Sequence, residues 1–303
     1  MRSKEFNKKQ VIIYLLWTFA IAYIIQFADA SLYVRNRQAG QIVLASMMFV
    51  PALGVLLSGA GFSGMGWKPQ IRKNIKIILA AWFGPLLLTA AGAPIYFLLF
   101  PRHFDLNGGY MAVLAGEEAV EQMKAQGISY PLYVVISTVS CVTYAPLINM
   151  FAALGEEIGW RGFLYPQLEA GLGRRKGWLL GGFIWGAWHW PLIWLIGYEY
   201  GAAAGNPAGY AGFPLSGMLI FGIFTASFGV LHAWLYEKSG TIWVPSILHG
   251  AFNGAAALPL MLCLANTGSF RLLGPAPNGI ISGLPIMAAA AVLLLRGDKR
   301  QST

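Results

Sequence analysis

Long, unbroken apolar runs separated by short polar segments dominate this chain. Because the apolar residues do not alternate with polar ones, as they would in the strands of a membrane barrel, each run predicts a helix. A helix needs about 20 mostly apolar residues to cross some 30 Å of hydrocarbon. We therefore predict about eight transmembrane helices, at residues 11–28, 41–61, 77–100, 131–154, 178–197, 213–236, 241–264 and 279–295.

Composition agrees with a membrane protein. The chain is 57% hydrophobic and 11% charged, with a mean hydropathy of +0.58, whereas an ordinary soluble domain is about 25% charged. No linker, repeat or low-complexity segment divides it, so residues 1–303 are predicted to form one all-α, polytopic membrane bundle. The longest break between apolar runs, 101–130, contains a stretch of mixed polarity at 112–127, which predicts a short amphipathic helix on the membrane surface.

The net charge of +9 does not indicate a nucleic-acid partner, because the basic residues follow the membrane topology. One set of loops and termini carries most of them: Arg2, Lys4, Lys8, Lys9, Lys68, Arg72, Lys73, Lys76, Arg174, Arg175, Lys176, Lys238, Arg296, Lys299 and Arg300. The alternate loops carry few: Arg35, Arg37, Arg102, Lys124 and Arg271. Cytoplasmic loops are enriched in Lys and Arg, so both termini are predicted to be cytoplasmic.

Two features of the apolar runs have a structural and a functional interpretation. The basic start, the first apolar run and the "ADA" at 28–30 resemble a signal peptide, but a run of about 17 residues exceeds a signal core of roughly 7–15 and favours an uncleaved helix. Cys141 and Cys263 lie in apolar runs without a polar neighbour to activate them, which favours packing residues over a disulfide or a catalytic thiol.

Polar side chains near the apolar runs are the main candidates for a functional site, because such groups are costly at bilayer depth unless they face the bundle interior. They are Glu156, Glu157, Arg161, His189, His232, His249 and Asn253. Glu157 and Arg161 are four residues apart and can pair on one helix face. Glu156 is turned about 100° away from Glu157, which leaves it outside that pair.

The histidines occur in two informative settings. His249 and Asn253 share one helix face, where they could donate hydrogen bonds to a developing oxyanion or could hold two helices together. Pro191 cannot bond the carbonyl of Ala187, so a kink or a local cavity is expected beside His189. A histidine in such a pocket near a carboxylate is suited to general base chemistry on water.

These residues form a pattern that resembles a known family. Glu156–Arg161 (EEIGWR), Trp185–His189 (WGAWH) and His249–Asn253 (HGAFN) are similar to the EExxxR, FxxxH and HxxxN motifs of the CPBP intramembrane proteases. That family includes the type II CAAX prenyl endopeptidases and the bacteriocin-processing and immunity proteins called Abi. The resemblance covers a catalytic core of about 130–264. It implies an eight-helix protease whose cavity opens to the cytoplasm and the membrane.

The resemblance also implies residue roles. Glu156 would polarise a water molecule with the help of His189. His249 and Asn253 would stabilise the oxyanion, while Glu157 and Arg161 would hold the first motif in place.

One motif departs from the family and one cofactor question stays open. Trp185 stands where phenylalanine is usual, and Phe228–His232 fits FxxxH literally, but motif order favours His189 and leaves His232 as a packing histidine.

A glutamate and two histidines could bind zinc and leave a position for water. Because the chain has no HExxH pair, we expect a metal-independent mechanism and no cofactor.

Two functional hypotheses follow. The first is an intramembrane endopeptidase that uses a glutamate-activated water on a membrane-associated, possibly prenylated, protein or peptide. The second is a non-enzymatic immunity or scaffold protein, or a proton-coupled transporter whose buried charges relay protons. Transporters commonly contain paired inverted repeats, and none is evident in this chain.

Overall fold

The protein is a polytopic bundle of α-helices, as the apolar runs predict. The computed structural model describes residues 5–201 and 209–296, so Arg2, Lys4, Lys299 and Arg300 lie outside the described residues. The helices are α1 Lys8–Arg35, α2 Arg37–Met47, α3 Val50–Leu57, α4 Ile71–Leu99, α5 Gly109–Ala115, α6 Glu117–Ala125, α7 Tyr130–Val142, α8 Ala145–Gly159, α9 Tyr165–Leu172, α10 Arg174–Ala187, α11 Trp190–Leu195, α12 Leu215–Ser239, α13 Trp243–Ala255, α14 Leu258–Met261 and α15 Leu284–Arg296. A π-helical turn, Trp160–Leu164, joins α8 to α9.

Three predicted spans are single long helices. The apolar runs 11–28, 77–100 and 213–236 correspond to α1, α4 and α12. Among the described residues, and including the α2–α3 segment, four segments are long and apolar enough to cross a membrane, or five if the bent pair of α6 and α7 counts as one. The predicted number of eight and the cytoplasmic position of both termini stay predictions.

Four other predicted spans are divided, and a proline explains each break. Proline lacks the N–H that would bond the carbonyl four residues earlier, so a helix tends to end there. In each case the preceding helix ends at that fourth residue, giving the pairs Met47 and Pro51, Val142 and Pro146, Ala187 and Pro191, and Ala255 and Pro259. In contrast, Pro85 and Pro94 lie inside α4 without ending it.

Two of the carbonyls left free by proline find partners on other helices. The indole N–H of Trp82 donates to the carbonyl of Val142 at 2.7 Å. The hydroxyl of Tyr23 donates to the carbonyl of Ala187 at 2.9 Å. Because a buried carbonyl without a partner is costly, these contacts fix the breaks in position. Cleavage after the "ADA" sequence would remove Tyr23 from the second one.

The polar segment between α4 and α7 also differs from its prediction. In place of one amphipathic helix over 112–127, it contains the two short helices α5 and α6. They are divided at Gly116, whose φ of +93° is a conformation that favours glycine.

Glycine allows a close helix contact in the core, between α8 and α13. A Cβ atom on Gly250 would lie 2.5 Å from the backbone nitrogen of Met150, whereas one on Gly254 would lie 3.3 Å from the Cβ of Ala145. Since overpacking costs about 1–3 kcal/mol, we expect Gly250→Ala to lower the unfolding temperature in detergent clearly. Gly254→Ala is the matched control and should lower it little; equal losses from the two variants would contradict this interpretation of the contact.

Candidate active site

The four residues predicted to be catalytic line one cavity. Glu156 lies near the end of α8, His189 lies in the break between α10 and α11, and His249 and Asn253 lie on α13. All four contribute to the wall of a cavity of about 1160 Å³. The structure therefore brings side chains from three separate parts of the chain to a shared space that can hold water and a peptide.

Glu156 is held by two tryptophans. Its side chain is 2% exposed, and its Oε2 accepts hydrogen bonds from the indole N–H of Trp185 at 2.7 Å and of Trp160 at 3.0 Å. Hydrogen bonds to a carboxylate are stronger than neutral ones. Within the described residues no hydrogen bond is made to Oε1, which leaves that oxygen available to a water molecule in the cavity.

Glu157 points away from Glu156 and forms a separate buried cluster. Its Oε1 accepts from Nη1 of Arg161 at 2.8 Å and from Nδ1 of His249 at 2.9 Å. Glu157 and Arg161 are both completely buried. The predicted pair is therefore present, and it has a third member, because the same carboxylate also orients the ring of His249.

Trp185 lies between Glu156 and the pair of Glu157 and Arg161. The centroid of its ring lies 4.3 Å from the guanidinium carbon of Arg161, and that carbon also lies 4.8 Å from the ring centroid of Tyr165. The carbonyl of Trp185 contacts Nδ1 of His189 at 3.0 Å. Trp185 thus contacts Glu156, Arg161 and His189, so the tryptophan at this motif position helps to hold all three side chains in place.

The helix break holds His189 in a defined tautomer. A carbonyl oxygen can only accept, so Nδ1 carries the proton in its contact with Trp185, and the neutral ring keeps a lone pair on Nε2. The ring of Tyr198 stacks on His189 with 5.7 Å between centroids and 9° between planes. On the adjoining residue, the carbonyl of Trp188 accepts from Nε2 of Gln26 at 2.8 Å. His189 is therefore preorganised to accept a proton at Nε2.

His232 lies behind the cavity rather than in its wall. It is completely buried, its Nδ1 contacts the carbonyl of Phe228 at 2.9 Å, and its Nε2 is 3.8 Å from Oε1 of Glu157. Of the two FxxxH-like segments, the one that ends in His189 reaches the cavity. The geometry of His232 is that of a hydrogen-bonded packing residue.

The residues that come closest to a metal-binding set do not suit a cation. Among the described residues, one group of three potential ligands lies within 4.8 Å of one another, namely Glu157, His232 and His249. The carboxylate oxygen of that group already accepts from the guanidinium of Arg161, and a dication there would face this positive charge. The trio of Glu156, His189 and His249, which faces the cavity, does not form such a group.

The outer part of the cavity carries polar groups from loops and short helices. Tyr110 of α5 and Glu199, which follows α11, both contribute to its wall. Desolvation raises the pKa of Tyr110 to about 12, so its phenol is protonated at neutral pH and can donate a hydrogen bond. Desolvation also raises the pKa of Glu199, whose Oε2 accepts from Nδ2 of Asn278 at 3.2 Å.

Comparison with known proteins agrees with this geometry. Residues 138–255 match the model of a family described as Rce1-like, type II CAAX prenyl endopeptidase. The matched segment contains Glu156, His189, His249 and Asn253 together. This part of the chain is similar to an Rce1-like domain. The resemblance to the CPBP proteases is confirmed, and the domain lies within the predicted core of 130–264.

A curated relative supports the same family. The protein named CAAX prenyl protease 2 from Methanococcus maripaludis is 25% identical to this chain over 204 residues. The alignment covers 65% of this chain and 67% of the relative. The similarity to this relative therefore extends over more residues than the Rce1-like match alone.

Three residues of the Rce1-like domain were missed by sequence reasoning. Trp160 and Trp185 were not expected to bind Glu156, because nothing in their local sequence indicates that contact. Asn149 of α8 lines the cavity, and its Nδ2 donates to the carbonyl of Gly250 at 3.4 Å. The signal for Asn149 was available, since it is an amide within the apolar segment PLINMF.

Replacement of Trp185 by phenylalanine tests the hydrogen bond to Glu156. The variant Trp185→Phe keeps an aromatic face for Arg161 but removes the indole N–H. A hydrogen bond to a charged group contributes about 1.5–3 kcal/mol, so we expect kcat to fall at least about tenfold while the protein stays folded. Trp178→Phe is the matched control, because that indole donates to Glu169 instead. An unchanged kcat for Trp185→Phe would show that Trp160 alone is enough to orient Glu156.

Proposed function

We propose that this protein is an intramembrane endopeptidase that hydrolyses a peptide bond with a water molecule activated by Glu156. The observation that carries the proposal is the shared cavity, in which Glu156 is held by two indole donors with one oxygen free of them. The match of residues 138–255 to the Rce1-like family model supports the reaction class. It does not favour the transporter or scaffold alternatives.

In the proposed reaction Glu156 takes a proton from water as the water oxygen attacks the peptide carbonyl. The lone pair on Nε2 of His189 helps to orient and polarise that water. The carbonyl electrons move onto oxygen, and the oxyanion accepts hydrogen bonds from Asn253 and from the protonated ring of His249. When the C–N bond breaks, Glu156 returns its proton to the departing nitrogen, which restores the carboxylate.

Glu157 and Arg161 act on this reaction through position. Glu157 holds Nδ1 of His249, so Nε2 is the ring nitrogen left for substrate. Arg161 compensates the buried carboxylate and packs against Trp185. The substrate class is a membrane-associated protein or peptide, whose prenyl group, if it carries one, would contact the surrounding lipid bilayer or the apolar wall.

Substrate trapping tests the proposed function. Purified wild-type protein and the Glu156→Gln variant would each be incubated with solubilised membrane proteins, and new peptide termini would be identified by mass spectrometry. We expect new termini with the wild type and intact bound protein with the variant. New termini that persist with Glu156→Gln, or none from either protein, would contradict the proposal.

Chelation tests the metal-independent mechanism. Because Arg161 already bonds the carboxylate of the best ligand group, we expect cleavage to persist after dialysis against a strong chelator. Metal content measured by mass spectrometry before and after dialysis is the control. Loss of cleavage that added zinc restores would contradict the mechanism.

A further inference from the structure

The cavity contains a second acidic residue that the proposed reaction does not use. Among the described residues that line the cavity, Glu156 and Glu199 are the two acidic ones. Glu199 follows α11 and belongs to the outer part of the wall. A carboxyl group in a cavity beside a catalytic site is a candidate for substrate binding, because a few polar groups usually orient a ligand in a largely apolar pocket.

Neighbouring residues fix the Glu199 side chain in place. Nδ2 of Asn278 donates to Oε2 of Glu199 at 3.2 Å. Asn278 is itself buried, and its carbonyl accepts from the hydroxyl of Tyr200 at 2.9 Å. The backbone of Glu199 has a φ of +66°, which is uncommon for a residue other than glycine. Such strain persists only where the surroundings hold it, and it is concentrated at functional sites.

Glu199 has no cationic partner. Among the residues that the structure describes, no lysine, arginine or histidine forms an ion pair with it. Arg271 also lines the cavity, but its guanidinium donates to three other oxygens, namely those of the Gly268 and Tyr200 carbonyls and of the Asn266 side chain. Desolvation raises the pKa of Glu199. Buried charges are normally paired, so a cation bound here would supply the charge that the wall lacks.

The position of Glu199 connects it to the catalytic site. The adjoining residue, Tyr198, stacks its ring on that of His189 with 5.7 Å between centroids. The ring of Phe221 lies 5.1 Å from His189 and 6.0 Å from Tyr198, which holds the stack from a third side. An extended peptide advances about 3.3–3.6 Å per residue. A substrate whose cleaved bond lies at Glu156 and His189 therefore needs only a few further residues to reach Glu199.

We propose that Glu199 is a specificity-determining residue that binds a positively charged nitrogen of the substrate peptide, carried by a lysine or arginine side chain or by the amino terminus, a few residues from the cleaved bond. The role in specificity rests on the proposed endopeptidase function, whereas the binding of a cation does not. Hydrogen bonds between charged groups are about twice as strong as neutral ones. A peptide with the charge should therefore bind at least about tenfold more tightly than one without it.

Peptide binding tests the site without any cleavage. The full-length Glu156→Gln protein would be prepared in a neutral detergent. The probes are short fluorescent peptides of alanine and leucine in which each position in turn holds lysine or norleucine, whose stem is similar but uncharged. Dissociation constants would be measured by fluorescence polarisation. We expect lysine at one position to bind at least about tenfold more tightly than norleucine at the same position; equal affinities at every position would overturn the inference.

The source of the charge is tested with the same probes. Blocked peptides show the effect of a side chain alone, and lysine-free peptides with an unblocked amino terminus show that of the terminal ammonium. A preference in either set supports the cation site and identifies its source. No preference in either set would contradict it.

Substitution of Glu199 identifies the binding group. In the Glu156→Gln protein, adding Glu199→Gln keeps an oxygen that can accept from Asn278 but removes the charge, so the ratio of the two affinities should fall to near one. Adding Glu199→Lys should instead favour glutamate in the probe. Glu118→Gln lies exposed outside the cavity and is the matched control, which should keep the lysine preference. A preference that persists in Glu199→Gln would overturn the assignment. The comparison of lysine with norleucine needs no change at Glu199, so it decides the question even if these variants fail to fold.

Cleavage by the protein with Glu156 intact separates this inference from the proposed function. The value of kcat/KM would be measured for the lysine and norleucine peptides. Faster cleavage of the lysine peptide supports both the site and the reaction. Equal values would overturn the role of Glu199 and leave the protease function standing. Selective binding of the lysine peptide with no cleavage of any probe would count against the protease function and leave the cation site standing.

Discussion

We expect that replacing Glu156 by glutamine abolishes measurable peptide hydrolysis while the protein remains folded. Glutamine has the same size and keeps a carbonyl oxygen that can accept from Trp160 and Trp185, but it cannot take a proton from water. General base catalysis contributes about 10²–10⁴ in rate, so kcat should fall by at least about 100-fold. The measurement is the rate of product formation from a trapped substrate, with the unfolding temperature determined in parallel.

The chain supplies its own control for this substitution. Glu118, like Glu156, belongs to a pair of neighbouring glutamates, but it lies exposed on α6 outside the cavity. Glu118→Gln should keep full activity. If Glu156→Gln hydrolysed substrate at the wild-type rate, another group would have to activate the water.

We expect Arg161→Met to destabilise the protein more than any other substitution considered for this site. The variant leaves the carboxylate of Glu157 buried with His249 as its remaining close partner. Removing one member of a buried ion pair costs about 3–5 kcal/mol. We expect a large decrease in the unfolding temperature in detergent, or little folded protein.

A double variant keeps this prediction testable even if the single variant does not fold. Adding Glu157→Gln to Arg161→Met removes the unpaired charge, so the double variant should regain a substantial part of the lost stability. Replacing both members of a buried pair by neutral groups is often tolerated. If the double variant is as unstable as the sum of the two single variants, the charge pair is not the source of the effect.

Sequence patterns identified the parts of the site that depend on near neighbours in the chain. The Glu157–Arg161 contact follows from a spacing of four residues on one helix, and the break beside His189 follows from Pro191. Both depend on geometry within one or two helical turns. The same proline argument, applied to Pro146, accounts for the break after Val142 within the predicted span 131–154.

Contacts between distant segments could not be predicted from these patterns. Trp185 reaches Glu156 from 29 residues away, and His249 reaches Glu157 from 92 residues away. The periodicity of one helix reveals which side chains share its face but not which neighbour that face meets. For that reason the sequence predicted that His249 donates to an oxyanion or holds two helices together, but not that its Nδ1 contacts Glu157.

The two tryptophans that donate to Glu156 allow its carboxylate to be followed by spectroscopy. Indole emission and the indole N–H vibration both respond to hydrogen bonding, and two of the 11 tryptophans donate to this one oxygen. Protonation of Glu156, or its replacement, weakens the acceptor and changes both signals. The ionisation of the central residue can therefore be followed in unlabelled protein, before any substrate has been found.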